Sequence, residues 1–164
     1  MKKGEIIISD NMQTQRLPEP DPALKRLEVF IGTWSLKGRT LDSKVDNVFA
    51  RTTFEWLPGG FFLKQTFEAD FMGMKIQSLE LIGSDPTSDT FPSLVYSNLV
   101  GVPIPYRYDV KGKNVTITTD LAGGARMKGK ISEDGNTFSG GWRPNPGTED
   151  PGNVAYDFVG TRVK

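Results

Sequence analysis

Glu80, within "MKIQSLELIG", and Arg107, within "IPYRYDV", carry the chemistry most easily read from this sequence. Glu80 shares its alternation with Ile76 and Ile82, and Arg107 stands between Tyr106 and Tyr108. If both side chains point inward, they can form a charge-assisted pair, or the guanidinium can hold a ligand carboxylate or enolate. A catalytic version has Glu80 or Tyr96 exchange a proton while Arg107 or Arg143 stabilises developing negative charge. The opposite orientation sends Arg107, Lys75 and Lys64 to solvent while their neighbours pack.

What is missing narrows the choices. The chain has neither cysteine nor histidine. Thiol nucleophiles, disulfides, serine-histidine triads and histidine-held haem are therefore excluded, as are most zinc-enzyme geometries. No metal site and no cofactor is expected. "GARMKGKI" has the glycine-to-lysine spacing of a phosphate loop, yet Ile131 stands where Ser or Thr must hold magnesium, and the segment reads as a strand. "SEDGNTF" lacks the spaced oxygen ligands of a calcium loop and reads as a hairpin turn. With 20 basic and 20 acidic side chains the formal charge is zero. That balance argues against nucleic acid or an anionic membrane surface as a partner.

Other candidate contacts are apolar or mixed. Phe54, Trp56, Phe67 and Met74 crowd the first half of the chain, and a cavity lined in this way suits an apolar or aromatic molecule. The same residues also suit a filled core. Gln65 shares parity with Leu63 and Phe67, and Tyr96 with Leu94, so burying Gln65 demands a partner. "GGWRPNPG" places Trp142 beside Arg143, an aromatic plate and a guanidinium able to hold a planar or anionic ligand at a barrel mouth. The alternative is that Trp142 covers apolar rim atoms.

These residues sit on short alternating segments. "VDNVFARTTFEWL" places Val48, Ala50, Thr52, Phe54 and Trp56 on one parity, and "FFLKQTFEAD" continues the pattern. "MGMKIQSLELIG" has mixed faces that leave its interior side open. "KGKN" and "EDGN" read as hairpin turns. In "NLVGVPIPYRY" the prolines cannot donate ladder hydrogen bonds, so "GVP" reads as a break between strands at an edge, bulge or rim. Only one helix precedes them. In "DPALKRLEVFIG" Asp21 caps, Pro22 takes the first helical position, Gly32 stops the turn, and Leu24, Leu27, Phe30 and Ile31 share a face.

Nine or ten strands and one early helix predict an all-β fold. An antiparallel sheet closed into a barrel of about 8–10 strands satisfies its edges, with the helix closing one end. Residues 1–20 read as a flexible leader and 21–164 as one domain. The start lacks a long apolar run, which predicts a soluble, cytoplasmic protein. The "NVT" sequon at Asn114 reads as incidental.

"FIGTWSLKG" resembles the opening of calycin barrels, the lipocalins and fatty-acid-binding proteins, whose first strand begins Gly-x-Trp; here the motif is Gly32, Thr33 and Trp34. "GTWSLKG", "WLPGGFFLKQTFEADFMGM" and "EDGNTFSG" further resemble a bacterial family of unknown function, DUF1579. The resemblance implies a calycin-like barrel with no established activity, and a basic side chain from the last strand, here Arg162, over Trp34. Nitrobindin-like relatives bind haem through a histidine that this chain lacks. Three functions stay open: a barrel that binds a small hydrophobic or amphipathic molecule, a metal-independent isomerase, cyclase or lyase, and an interaction module with a solid core. Any of them is compatible with a homo-dimer.

Overall fold

The computed structural model describes residues 17–148 and 150–164, so most of the expected leader lies outside the described residues. Ten antiparallel strands run in a simple up-and-down meander: β1 (Gly32–Thr40), β2 (Val48–Trp56), β3 (Leu63–Phe71), β4 (Met74–Ile82), β5 (Phe91–Ser97), β6 (Val100–Lys111), β7 (Asn114–Thr119), β8 (Ala125–Ile131), β9 (Thr137–Pro144) and β10 (Tyr156–Arg162). Each pairs with the next, and β1 pairs with β10, with Trp34 opposite Arg162 and Leu36 opposite Gly160. The sheet is a closed barrel. Closure leaves no unpaired edge to template aggregation.

The helix before β1, Pro22–Phe30, is 3₁₀. Its three-residue period explains why Leu24, Leu27 and Phe30 are all buried, since positions three apart eclipse on one face. Asp21 starts it by accepting a hydrogen bond from the Ala23 amide at 2.9 Å, and Pro22 gives up an amide that has no helical partner. Arg26 ties it to the β4–β5 connection, donating to Asp89 at 2.6 Å and lying 4.6 Å from the Phe91 ring centroid. The helix therefore caps the barrel end where β1 begins.

Alternation assigns the interior. On β2, Val48, Thr52 and Phe54 are buried while Phe49, Arg51 and Glu55 are exposed. On β4, the strand whose faces the sequence left open, Glu80 and Ile82 are buried while Leu79 is exposed. β6 corrects one boundary. The chain turns at Asn98 and Leu99, and "GVP" lies inside the strand. Asn98 prolongs the pairing with β4: its amide donates to the Gln77 carbonyl at 3.0 Å, and its side-chain oxygen accepts from the Gln77 amide at 2.8 Å. The β5–β6 register slips between Val95 and Ser97, beside the prolines that cannot join the ladder.

The helix end is packed by aromatic rings. Phe30 stacks on Phe54 with centroids 5.3 Å apart and meets Tyr108 and Phe138 edge-on at 6.0 Å. Trp34 is 2% exposed, and its indole N–H donates to the Phe30 carbonyl at 2.8 Å. The Arg162 guanidinium carbon lies 4.2 Å from the Trp34 ring centroid, and its nitrogens donate to the carbonyls of Ile31, Val29 and Gly135. Gly32 is required there twice over. Its φ of 112° lies in the left-handed region, and a Cβ would sit 2.8 Å from an Arg162 nitrogen.

Candidate functional site

Above the aromatic floor the interior becomes polar on one wall. Five adjacent strands, β2 to β6, each contribute an inward oxygen or amide at nearly the same height. Gln65 stands opposite Glu80 in the β3–β4 register, and Ser93 opposite Tyr106 in β5–β6. The Gln65 side-chain amide donates to Thr52 Oγ1 at 2.9 Å, and that hydroxyl donates to the Thr66 carbonyl at 2.9 Å. Ser93 Oγ donates to Glu80 Oε1 at 2.6 Å, and Tyr108 OH donates to Oε2 at 2.8 Å.

Glu80 is 3% exposed and has hydroxyls, not a cation, as partners. Burial disfavours its charged form and outweighs the two hydrogen bonds, so its pKa rises from 4.5 to about 7. The tyrosines move the same way. Burial, followed by the nearby Glu80 charge, pushes Tyr106 up to about 12 and Tyr108 well above its ordinary value; Tyr156 is raised by burial and by Tyr106. All three phenols keep their protons near neutrality.

Tyr106 and Tyr156 differ from Tyr108 in one respect. Neither hydroxyl has a hydrogen-bond partner among the described residues, nor has the Trp142 indole N–H, and all three rings are partly buried against the core. Their rings are anchored. Tyr106 lies 5.8 Å from Trp142, and Tyr156 meets Phe71 edge-on at 5.1 Å. Three donors on fixed, partly buried rings thus lie toward the end of the barrel away from the helix without a protein acceptor among the described residues.

The remaining candidates scatter. Phe54 belongs to the helix-end core at 6% exposure, and Trp56 packs against that core. Phe67 and Gln65 lie on the inward, half-buried face of β3. Met74 is exposed at the β3–β4 tip. Tyr96 faces outward and, with Leu79, Thr66 and Arg51, lines an open depression of about 510 Å³ on the outer wall of β2–β5. A second outer depression of about 420 Å³ adjoins it.

The Glu80–Arg107 pair does not form. Arg107 takes the outward parity of β6, donating to Thr90 Oγ1 at 2.9 Å and Asp85 at 3.3 Å. Arg143 also points outward, bonding Asp157 at 2.7 Å and the carbonyls of Trp142 and Tyr156. Among the described residues at inward strand positions, Glu80 and Arg162 are the only charged ones. Sequence reasoning passed over Ser93, Tyr106, Tyr108 and Tyr156 as site residues. The signal was present: Tyr106 and Tyr108 share parity with Ile104 and Val110, and Tyr156 with Phe158, so these tyrosines had to face inward.

Residues 19–132, more than half of the chain, match the profile of the family described as protein of unknown function, DUF1579. The chain belongs to that family. Among solved structures, this DUF1579 protein is similar to the crystal structure of Rv2717c from M. tuberculosis, at 14% identity over 89% of this chain and 100% of that one, with a TM-score of 0.59. That likeness shows a shared fold and nothing further. No curated protein matches the chain. Among the described residues no helix is long and apolar enough to cross a membrane.

Proposed function

We propose that this DUF1579 barrel receives a small, largely apolar molecule inside the half of its interior away from the helix. The carrying observation is that the hydroxyls of Tyr106 and Tyr156, on inward, partly buried and anchored rings, have no protein partner among the described residues. A polar group in a mostly buried setting costs stability unless it is bonded, so such donors are kept where water or a ligand completes them. Ten strands support the reading, because barrel width grows with strand number and eight already suffice to hold one small ligand. The walls carry Phe67, Ile76, Val95 and Ile104, with the Glu80 belt along one side.

The outer depression has a ligand-sized volume, but it lies open to solvent on the outer wall of the barrel. Titration with the neutral dye Nile red separates the two places. Saturable one-to-one binding is expected, lost on filling the interior by Ala50→Trp or Ala69→Trp in variants that still unfold cooperatively, and kept by Tyr96→Ala. Loss of binding in Tyr96→Ala with retention in both filled variants would move the site to the outer wall. Native mass spectrometry of protein from its own cells then identifies a retained molecule.

A further inference from the structure

The chamber's polar atoms also say which head group it takes; this step rests on the receptor reading above. Donors are in surplus. Tyr106 OH, Tyr156 OH and the Trp142 indole N–H await acceptors, whereas both oxygens of Glu80 already accept from Ser93 and Tyr108. Trp142 and Tyr106 are inward neighbours in ring contact, and Tyr156 stands directly opposite Trp142 in the β9–β10 register, so the three donors occupy one patch of wall.

An anionic head group finds no cation there. Arg162, the one inward guanidinium among the described residues, is committed to Trp34 and three carbonyls below the aromatic floor, and Arg107 and Arg143 are outside in pairs with Asp85 and Asp157. A carboxylate would be desolvated with no cation to repay the cost, and above about pH 7, where Glu80 is ionised, it would also meet a like charge. An ammonium group could donate to the phenol oxygens, but it would leave the phenol and indole protons themselves without acceptors, which a carbonyl oxygen supplies.

We propose that the DUF1579 barrel selects uncharged molecules bearing a carbonyl-type oxygen, which accepts hydrogen bonds from the phenol hydroxyls of Tyr106 and Tyr156 while the apolar body fills the chamber. Specificity of this kind comes from buried donors left unpaired by the wrong guest. The lack of an inward cation free to pair, among the described residues, supplies the second half of the discrimination, against anions.

A matched set on one skeleton tests this: 2-acetylnaphthalene, 2-ethylnaphthalene, 2-naphthoate and 2-naphthylmethylammonium, titrated against the whole protein by tryptophan fluorescence and calorimetry near neutral pH. The ketone should bind about tenfold more tightly than the carboxylate and more tightly than the amine. Tyr106→Phe and Tyr156→Phe should each weaken the ketone by about threefold to tenfold, the share of one hydrogen bond, while leaving 2-ethylnaphthalene unchanged. A carboxylate or ammonium preference, or a ketone affinity indifferent to both tyrosine changes while 2-ethylnaphthalene still binds, overturns the head-group assignment alone. Binding of none of the four, up to their solubility limits, overturns the receptor reading and this assignment with it.

Discussion

The two ends of the barrel are built from the same alternating strands, yet they spend their side chains differently. At the helix end the buried rings are packed and bonded: Phe30 on Phe54, Trp34 under Arg162, its indole N–H on a backbone carbonyl. At the far end Tyr106, Tyr156 and Trp142 hold their rings in place but leave their donors open, and the surrounding loops expose Leu41, Val45, Met72, Leu99 and Leu121. The difference teaches where stability and where recognition reside. Dense ring packing defines one end, and immobilised donors without protein acceptors among the described residues define the other.

The largest test of that division compares two tryptophans. Trp34→Ala removes a ring that is 2% exposed, leaves a cavity and strands the Arg162 guanidinium over empty space; a loss of about 4 kcal/mol is expected in urea denaturation. Trp142→Ala, at a half-buried ring in contact with Tyr106, should cost less than half as much. Equal costs would mean that the far half is as solidly packed as the helix half.

Glu80 marks the boundary between the halves, and its effect depends on pH. In the unfolded chain the carboxyl loses its proton near 4.5, but in the folded barrel only near 7. The folded state therefore binds the extra proton between these values, and stability falls as pH rises through that window. The contribution is fully present below pH 4.5. It is lost above about 7, for a total of about 3 kcal/mol at about 1.4 kcal/mol per unit. Glu80→Gln, which carries no charge at either pH, should flatten this slope, leaving the protein about 2 kcal/mol more stable than wild type at pH 8 and little changed at pH 4.5. Denaturation midpoints across that range check it. An unchanged slope would show that another group sets the pH response.

The closed barrel was legible because alternation survives in nearly every strand: Val48 to Trp56 needs no tertiary information to be read as two-faced. The helix was legible from Asp21 and Pro22, although its 3₁₀ period was not, since Leu24, Leu27 and Phe30 suit an α-helix stripe almost as well. The site was harder. Formal charge drew attention to Arg107 and Arg143, but in a strand an arginine flanked by aromatics on both sides is the residue that turns outward when its neighbours are buried. Glu80 was visible as an acid on an apolar parity; its partners Ser93 and Tyr108 come from other strands, and only the barrel register brings them together. "GVP" misled because proline usually ends a strand, and the β5–β6 register slip that accommodates it depends on pairing across strands.

The finest separation uses three tyrosines that sequence cannot distinguish. Tyr108→Phe deletes a hydroxyl that donates to a buried carboxylate at 2.8 Å, so Glu80 keeps its desolvation cost with one donor fewer; a loss of about 1–2 kcal/mol at pH 8 is expected. Its size should shrink at low pH, where Glu80 is protonated and the missing donor matters less. Tyr106→Phe and Tyr156→Phe delete hydroxyls with no protein partner, and the rings that pack on Trp142 and Phe71 remain. Each should change stability by no more than about 0.5 kcal/mol in either direction, with no pH dependence in its sign. If those two variants cost as much as Tyr108→Phe, their hydroxyls are bonded in solution, and the donors assigned to a guest already serve the fold. If they are neutral, the barrel holds two oriented donors that its own stability does not use.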